Sequence, residues 1–234
     1  VEDRGQSARG LVGGSRDALG LRQRSGDRVR GGGVVLAVGK RPGGRDAHVL
    51  NAIAERRREP LHERRMTEPL RPDPLPLVQE FFPALAPAVL ERLGRLSACV
   101  RAWNERVNLV SRKDVEHLEE HHLLHSLAIA RVWRPAAGAL VADLGTGGGF
   151  PGLPLAVVYP ECRFTLVDSV AKKARAVEDV VSALGLRNVR VVAARAETLR
   201  GPFDYVLGRA VTALPQFLGW AALLLQPGGS AHGF

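Results

Sequence analysis

The sequence has 234 residues, of which 45% are hydrophobic, and a formal charge of +9; its apolar content is that of a globular protein. No apolar run approaches the roughly 18 residues that a membrane span needs, and the N-terminus lacks the apolar core of a signal peptide. Cys99 and Cys162, the two cysteines, have no metal or redox spacing, so we expect a reduced, cytoplasmic protein with no membrane segment.

Residues 1–65 carry most of the positive charge. They contain 15 Lys and Arg against 8 Asp and Glu, whereas residues 66–234 contain 18 against 16. They are rich in Arg and Gly and lack a sustained hydrophobic period, so we expect no packed core there. Three interpretations stay open: an over-extended gene start with translation beginning at Met66, a disordered native tail, and an RNA-binding arm. Net charge alone therefore does not argue for RNA binding.

A helical cap is predicted for residues 66–135. After a proline-rich lead-in, apolar residues recur at three- and four-residue steps from Leu77 to Trp103. A further helix, predicted over residues 115–133, contains four histidines: His117, His121, His122 and His125. Their spacing could place imidazoles on one face, as in some metal sites. We find no acid or cysteine at a matching spacing, so we interpret them as a polar helix face and predict no metal.

The most informative segment is residues 141–152, where an apolar run ends in Asp143 and a glycine-rich turn follows. Gly145, Gly147 and Gly149 give the spacing G-x-G-x-G. Glycine lets a ligand approach the backbone closely and adopts the backbone angles that such a turn needs, and the next helix points its free N–H groups at the ligand. This strand–turn–helix pattern opens nucleotide-binding α/β sheets, and its spacing resembles the first motif of S-adenosylmethionine-dependent methyltransferases.

Beyond this turn, predicted strands alternate with predicted helices. The strands cover residues 163–168, 189–193 and 203–207, and the helices cover residues 153–158, 171–184 and 214–225. Such alternation implies a parallel sheet. The predicted fold class is therefore α/β, with a Rossmann-like doubly wound sheet at residues 136–234 behind the helical cap. Because ligands bind at the carboxyl ends of such strands, the loops after each strand are the places to search.

Two of these loops carry candidates for binding a nucleoside. Asp168 lies 23 residues beyond Gly145, at the end of the second strand, where an acid can accept hydrogen bonds from the ribose of adenosylmethionine or of NAD. We expect the neighbouring Ser169 to cap the next helix. Ala196 and Glu197 follow the third strand, where methyltransferases contact adenine.

Arg209 follows the fourth strand, and the residue types around it narrow the chemistry. The Asn/Asp-Pro-Pro-aromatic loop of amino-group methyltransferases is absent here, as is a catalytic cysteine. A target such as guanine N7 has a free lone pair and no proton to lose, so transfer needs in-line positioning and no general base. Arg209 could pair with a phosphate or with the methionine carboxylate. The alternative is a structural ion pair with Asp204 or Glu197.

Taken together, residues 77–229 resemble one family, the bacterial small-subunit (16S) ribosomal RNA guanine-N7 methyltransferases, also called glucose-inhibited division protein B. The resemblance is carried by the glycine turn with Phe150-Pro151-Gly152, Trp103-Asn104, Asn108-Leu109, His122-Leu123-Leu124, Val167-Asp168-Ser169 with Lys172, Arg195-Ala196-Glu197 and Arg209-Ala210. It implies a class I methyltransferase fold, adenosylmethionine as the cofactor and 16S ribosomal RNA as the substrate. We expect a monomer.

By motif match, the resemblance also implies the site residues. Arg209 would position substrate or cofactor during catalysis. The residues implied for cofactor binding are Gly145, Thr146, Gly147, Phe150, Asp168, Ser169, Ala196, Glu197 and Arg209.

The chain departs from the family pattern in places that bear on activity. The family often has Gly-Pro-Gly at residues 147–149, and Asp-Ser where this chain has His125-Ser126. Pro227-Gly228-Gly229 is predicted to stop the last helix, after which the family continues into a fifth strand and closing strands. We therefore expect a sheet whose C-terminal strands are truncated, which leaves the activity open. The alternatives are an inactive remnant, a pseudo-enzyme that binds cofactor or RNA, and an adenosylmethionine-dependent methyltransferase with another substrate.

A basic face for RNA is a further hypothesis. Its members are Arg106, Arg112 and Lys113 near the helical cap, with Lys172, Lys173 and Arg209.

Overall fold

The computed structural model describes residues 70–233, so the expectations for residues 1–65 lie outside the described part of the chain. Three helical segments precede the sheet: α1 (Pro76–Phe81), α2 (Pro87–Asn104) and a π-helical turn (Glu119–Leu124) that continues into α3 (His125–Val132). Both α1 and α2 begin with proline in the first turn, where its missing N–H costs nothing. The single helix predicted over residues 115–133 is therefore wrong in its first part, which consists of turns and the π-helical segment.

The sheet contains five parallel strands in the order β3-β2-β1-β4-β5. The strands are β1 (Leu140–Leu144), β2 (Arg163–Asp168), β3 (Val189–Ala193), β4 (Phe203–Gly208) and β5 (Leu225–Gly233). The helices between them are α4 (Gly152–Val158), α5 (Ala171–Leu184) and α6 (Leu214–Leu224), with a short 3-10 turn at Ala196–Thr198. The chain runs outward from β1 to β3 and returns to β4 on the other side of β1, so the topological switch point lies at β1.

Side chains alternate between two cores along the central strands, as the pleat requires. Val141 and Leu166 face the core that is shared with α2 to α5, whereas Ala142 and Val167 face the core that is shared with α6. Helices therefore cover both faces, which confirms the doubly wound α/β prediction. Because the N-terminal helices and the sheet share one core, the division between residues 66–135 and 136–234 stays a prediction.

The expectation that the fifth strand is missing is wrong. Helix α6 ends at Leu224 and β5 begins with the next residue, so Pro227 lies inside a strand and does not stop the helix. The pairing with β4 jumps from Phe203↔Leu225 to Tyr205↔Ser230, and this bulge absorbs the Pro-Gly-Gly run, which suits neither helix nor regular ladder. Residues 70–233 form no strand beyond β5, and the truncation of the closing strands stays a prediction.

No helix among residues 70–233 is both long enough and apolar enough to cross a lipid bilayer.

Candidate functional site

The glycine turn connects β1 to α4, and its three alternate glycines all have positive φ. The angles are 65° at Gly145, 58° at Gly147 and 92° at Gly149, which a side chain adopts only at a cost of about 1–2 kcal/mol. A Cβ on Gly145 would lie 2.3 Å from Val211 Cγ2. A Cβ on Gly147 would lie 3.7 Å from Leu109 O, an ordinary van der Waals contact, and Gly147 is only half-buried.

Asp143 holds the two ends of the glycine turn together. Its Oδ2 accepts hydrogen bonds from Thr146 Oγ1 at 2.7 Å and from Gly152 N at 2.9 Å. The carboxyl is fully buried, and burial raises its pKa to about 7, against the opposing effect of these two donors. Asp143 was not predicted as a site residue, although its position just before the glycine run was the available signal. The hydroxyl of Thr146 therefore already donates its proton to this carboxyl.

Asp168 connects the glycine turn to the end of β2. Its Oδ2 accepts from Gly147 N at 2.9 Å and its Oδ1 accepts from Val170 N at 2.8 Å. Each carboxylate oxygen has a second lone pair, so a ribose hydroxyl can still be bound. The expected cap by Ser169 is wrong, because α5 has Val170 at its N-cap and no side-chain cap hydrogen bond; Ser169 itself is exposed.

Ala196 and Glu197 lie in the 3-10 turn after β3, beside the same edge of the sheet. The backbone of Ala194 donates to Asp168 O at 3.0 Å, which fixes the start of this loop against β2. Ala196 is half-buried against the core on the α6 side. Glu197 is exposed and accepts a hydrogen bond from Arg195 Nε at 2.9 Å, so its carboxylate faces solvent at the rim of the site.

Arg209, at the end of β4, crosses the strand ends and binds the π-helical turn. One guanidinium nitrogen donates to His121 O at 2.8 Å and lies 3.3 Å from His125 Nδ1, and the other lies 2.5 Å from His122 Nδ1. The guanidinium carbon is also 6.0 Å from the ring centroid of buried Phe150. Neither ion pair proposed as the alternative forms: Glu197 binds Arg195, and the carboxylate of Asp204 accepts hydrogen bonds from Leu140 N and from Gln226 Nε2.

These contacts define the protonation of both histidines. A guanidinium has only donors, so Nδ1 of His122 and of His125 must accept, and each neutral ring carries its proton on Nε2. Burial lowers the pKa of His122 to about 4, with Arg209 adding to the effect. The same two causes lower the pKa of His125. The Nε2 of His122 is buried and has no hydrogen-bond partner among residues 70–233.

The backbone on both sides of the Arg209 contact is irregular. Ala210 has a φ of 51°, which is uncommon for a residue with a side chain. The partner segment is π-helical, a rare form that is frequent at functional sites. The sequence predicted Arg209 at a strand end but did not predict its contact with the histidines, which lie more than 80 residues earlier in the chain.

His117 and His121, the other two histidines of the segment predicted as one helix, have exposed side chains. Ligand atoms of His117, Glu120 and His121 lie within 4.8 Å of one another, and Asp114 Oδ1 lies 3.0 Å from His121 Nδ1. The statement that no acid has a matching spacing is therefore wrong, because Glu120 does. The absence of a metal stays a prediction.

Comparisons with known proteins agree with this geometry. The model of the family described as rRNA small subunit methyltransferase G matches residues 89–232. A Flavobacterium johnsoniae protein named ribosomal RNA small subunit methyltransferase G is 46% identical over 143 residues, which are 61% of this chain and 68% of that one. A Bacteroides fragilis protein of the same name is 47% identical over 142 residues, 61% of this chain and 69% of that one.

Solved structures are more distant. A SAM-dependent methyltransferase from Aquifex aeolicus has a TM-score of 0.41 and 19% identity, over 50% of this chain and 69% of that one.

The parallel sheet, with its glycine turn at the switch point and an acid at the end of the neighbouring strand, defines a Rossmann-like nucleotide-binding protein. Within that class, the family model that matches residues 89–232 identifies one family. The chain belongs to the rRNA small subunit methyltransferase G family.

Proposed function

We propose that this protein transfers the methyl group of S-adenosylmethionine to N7 of a guanine in 16S ribosomal RNA, in the cytoplasm and as a monomer. Membership of the family supports rRNA methylation. The observation that carries the N7 assignment is the Arg209–histidine contact. Arg209 occupies Nδ1 of His122 and of His125, so neither imidazole offers that lone pair to a substrate proton. Guanine N7 has no proton to lose, and a site without a free base suits it.

The cofactor would lie across the carboxyl ends of β1, β2 and β3. The half-buried backbone at Gly147 and the remaining lone pairs of Asp168 fit a nucleoside there. When bound, adenosylmethionine supplies an electrophilic methyl group on a sulfonium. The residues that would hold it are Gly145, Thr146, Gly147, Phe150, Asp168, Ser169, Ala196, Glu197 and Arg209.

This chain's own residues have distinct parts in that site. Asp168 would fix the ribose, while its bond to Gly147 N keeps the glycine turn in register with β2. Phe150, which is buried beside Arg209 and His122, would exclude water from the centre of the site. Arg209 remains charged at every accessible pH, so it can neutralise a phosphate or a carboxylate but cannot accept a proton. Catalysis then depends on alignment and desolvation.

The test is a methyl-transfer assay with radiolabelled adenosylmethionine and small subunits that lack the modification. Labelled rRNA should be cleaved at one guanine by reduction and aniline treatment, which act on N7-methylguanine. The variant Asp168→Asn, which keeps the shape of the side chain but loses its charge, should weaken cofactor binding about tenfold, the effect of one charge-assisted hydrogen bond. Label that resists aniline cleavage would refute the N7 assignment, and unchanged cofactor affinity would refute the role of Asp168.

A further inference from the structure

A cavity of about 880 Å³ opens between the C-terminal end of α2 and the N-terminal end of α5. Five cations line it: Arg101, and four that form no ion pair with a carboxylate within residues 70–233, namely Arg106, Arg112, Lys172 and Lys173. They come from segments of the chain about 60 residues apart, and the fold brings them to one depression. Lys113 and Arg209, which completed the basic face predicted from the sequence, do not line this basic cavity.

The charge of the basic cavity is not balanced by the protein. Arg101, which also lines it, is bound to Asp73 at 3.0 Å. Within residues 70–233, none of the four cations forms an ion pair with a carboxylate, and Glu105 is the acid in the lining. Lys172 and Lys173 also lie in the first turn of α5, where cations oppose the helix dipole. Arg106 lies over the ring of Trp103, 5.9 Å from its centroid. Folding stability does not account for the charges of Arg112, Lys172 and Lys173, whereas an anionic ligand would.

The basic cavity adjoins the cofactor site on both sides. On one wall, Lys172 in the first turn of α5 lies four residues after Asp168, the last residue of β2. On the other wall, Asn104 Oδ1 accepts hydrogen bonds from the backbone of Leu109 and Val110 at 2.9 and 3.0 Å. That loop packs on the glycine turn, since a Cβ on Gly148 would lie 3.3 Å from Leu109. A ligand in the basic cavity thus lies next to the proposed methyl-transfer site.

We infer that the basic cavity binds backbone phosphates of the substrate RNA beside the target guanine. The volume exceeds what a single phosphate ion needs, and four cations can meet more than one phosphodiester. Val170, which is 48% exposed, lies among these cations and offers an apolar contact to a ribose or a base. This inference rests on the proposed function, because it takes RNA as the substrate.

The test compares two double variants of the full chain with equal loss of charge. Arg112→Gln with Lys172→Gln removes two exposed cations from the basic cavity. Arg187→Gln with Arg190→Gln removes two exposed arginines from a second cavity, at the amino ends of the strands, and is the matched control. Both variants keep residues 1–65, so any RNA binding by that basic segment is common to all samples.

The readout is the affinity for a fluorescein-labelled single-stranded RNA as a function of salt, with calorimetric titration of adenosylmethionine in parallel. The slope of log affinity against log salt should become shallower by about 1.4 in the cavity variant, which is about 0.7 for each lost phosphate contact. The control slope should equal that of the wild type. Cofactor affinity should stay unchanged in both variants, because neither pair is placed in the cofactor site.

Three results would overturn the inference: a wild type that does not bind the RNA, equal changes in both variants, or a change in the control alone. Replacing chloride by inorganic phosphate at constant ionic strength should weaken RNA binding by the wild type and the control more than by the cavity variant, because phosphate ions compete for the same cations. An equal effect on all three proteins would also overturn the inference. If adenosylmethionine fails to bind while the RNA slopes behave as expected, the proposed methyl transfer fails and the RNA site stands.

Discussion

Replacing His122 by asparagine should remove part of the acid sensitivity of the folded state. In the wild type, Nδ1 of His122 accepts from Arg209, and burial together with Arg209 lowers the pKa of this histidine from 6.5 to about 4. At a pH between these two pKa values, His122 is therefore protonated in the unfolded chain and neutral in the folded chain. The stability contributed by neutral His122 is complete above about pH 6.5 and is lost as the pH falls towards about 4. Asparagine keeps an acceptor oxygen for Arg209 but does not titrate.

The magnitude follows from the two pKa values. Between about pH 7 and about pH 5, the shift from 6.5 to about 4 corresponds to about 2 kcal/mol of lost stability. Because His122 is only half-buried, solvent screening reduces this to about 1 kcal/mol. Asp143 acts with the opposite sign, since its raised pKa favours the folded state as the pH falls from about 7. The difference between wild type and variant isolates His122, because Asp143 is common to both.

The assay is urea unfolding at a series of pH values for the wild type, His122→Asn and the control His117→Gln, which changes an exposed histidine near the same segment. From about pH 7 to about pH 5, the wild type and the control should lose about 1 kcal/mol more than His122→Asn, or about 2–4 °C in melting temperature. Parallel curves for the wild type and His122→Asn would refute the reasoning that His122 is held neutral by burial beside Arg209.

Two further predictions concern the glycine turn and the arginine. Gly145→Ala should lower the free energy of unfolding by about 1–3 kcal/mol more than Gly185→Ala. Both glycines have positive φ, but a Cβ at Gly185 has no atom within 4 Å, whereas a Cβ at Gly145 meets Val211. Equal losses in denaturant titrations would show that the clash relaxes freely. Arg209→Lys keeps the charge but loses the contact of two guanidinium nitrogens with the histidines. The kcat/KM for rRNA methylation should therefore fall about 100-fold. A loss below threefold would show that the charge alone suffices.

The predictions that came from short-range signals agree with the structure. Helix α5 is predicted and observed at residues 171–184, because its apolar residues recur at helical spacing and Gly185, with a φ of 63°, ends it. The strands before and after it depend on equally local patterns. The placement of Asp168 beside the glycine turn also follows from local sequence, since a parallel sheet brings the ends of consecutive strands to one edge.

The wrong predictions concern segments whose conformation depends on distant contacts. Strand β5 contains a Pro-Gly-Gly run that favours a turn, and pairing with β4 overrides that preference by forming a bulge. The π-helical turn contains a histidine-rich repeat that fits an α-helix equally well, and contact with Arg209 accompanies the irregular winding. In both cases the partner lies far away in the sequence, so no local window contains the interaction that decides the conformation.

The sequence by itself therefore determined the class of fold and the position of the nucleotide site, because both follow from the local periodicity of apolar residues and from the spacing of the glycines. Only the tertiary structure decided which groups meet within that site. It joined Arg209 to His122 across more than 80 residues. Outside that site, it gathered four members of the predicted basic face, Arg106, Arg112, Lys172 and Lys173, into one cavity and left Lys113 and Arg209 out of it. Such contacts depend on how helices dock on the sheet, and docking depends on packing throughout the core that α2 to α5 share with the strands.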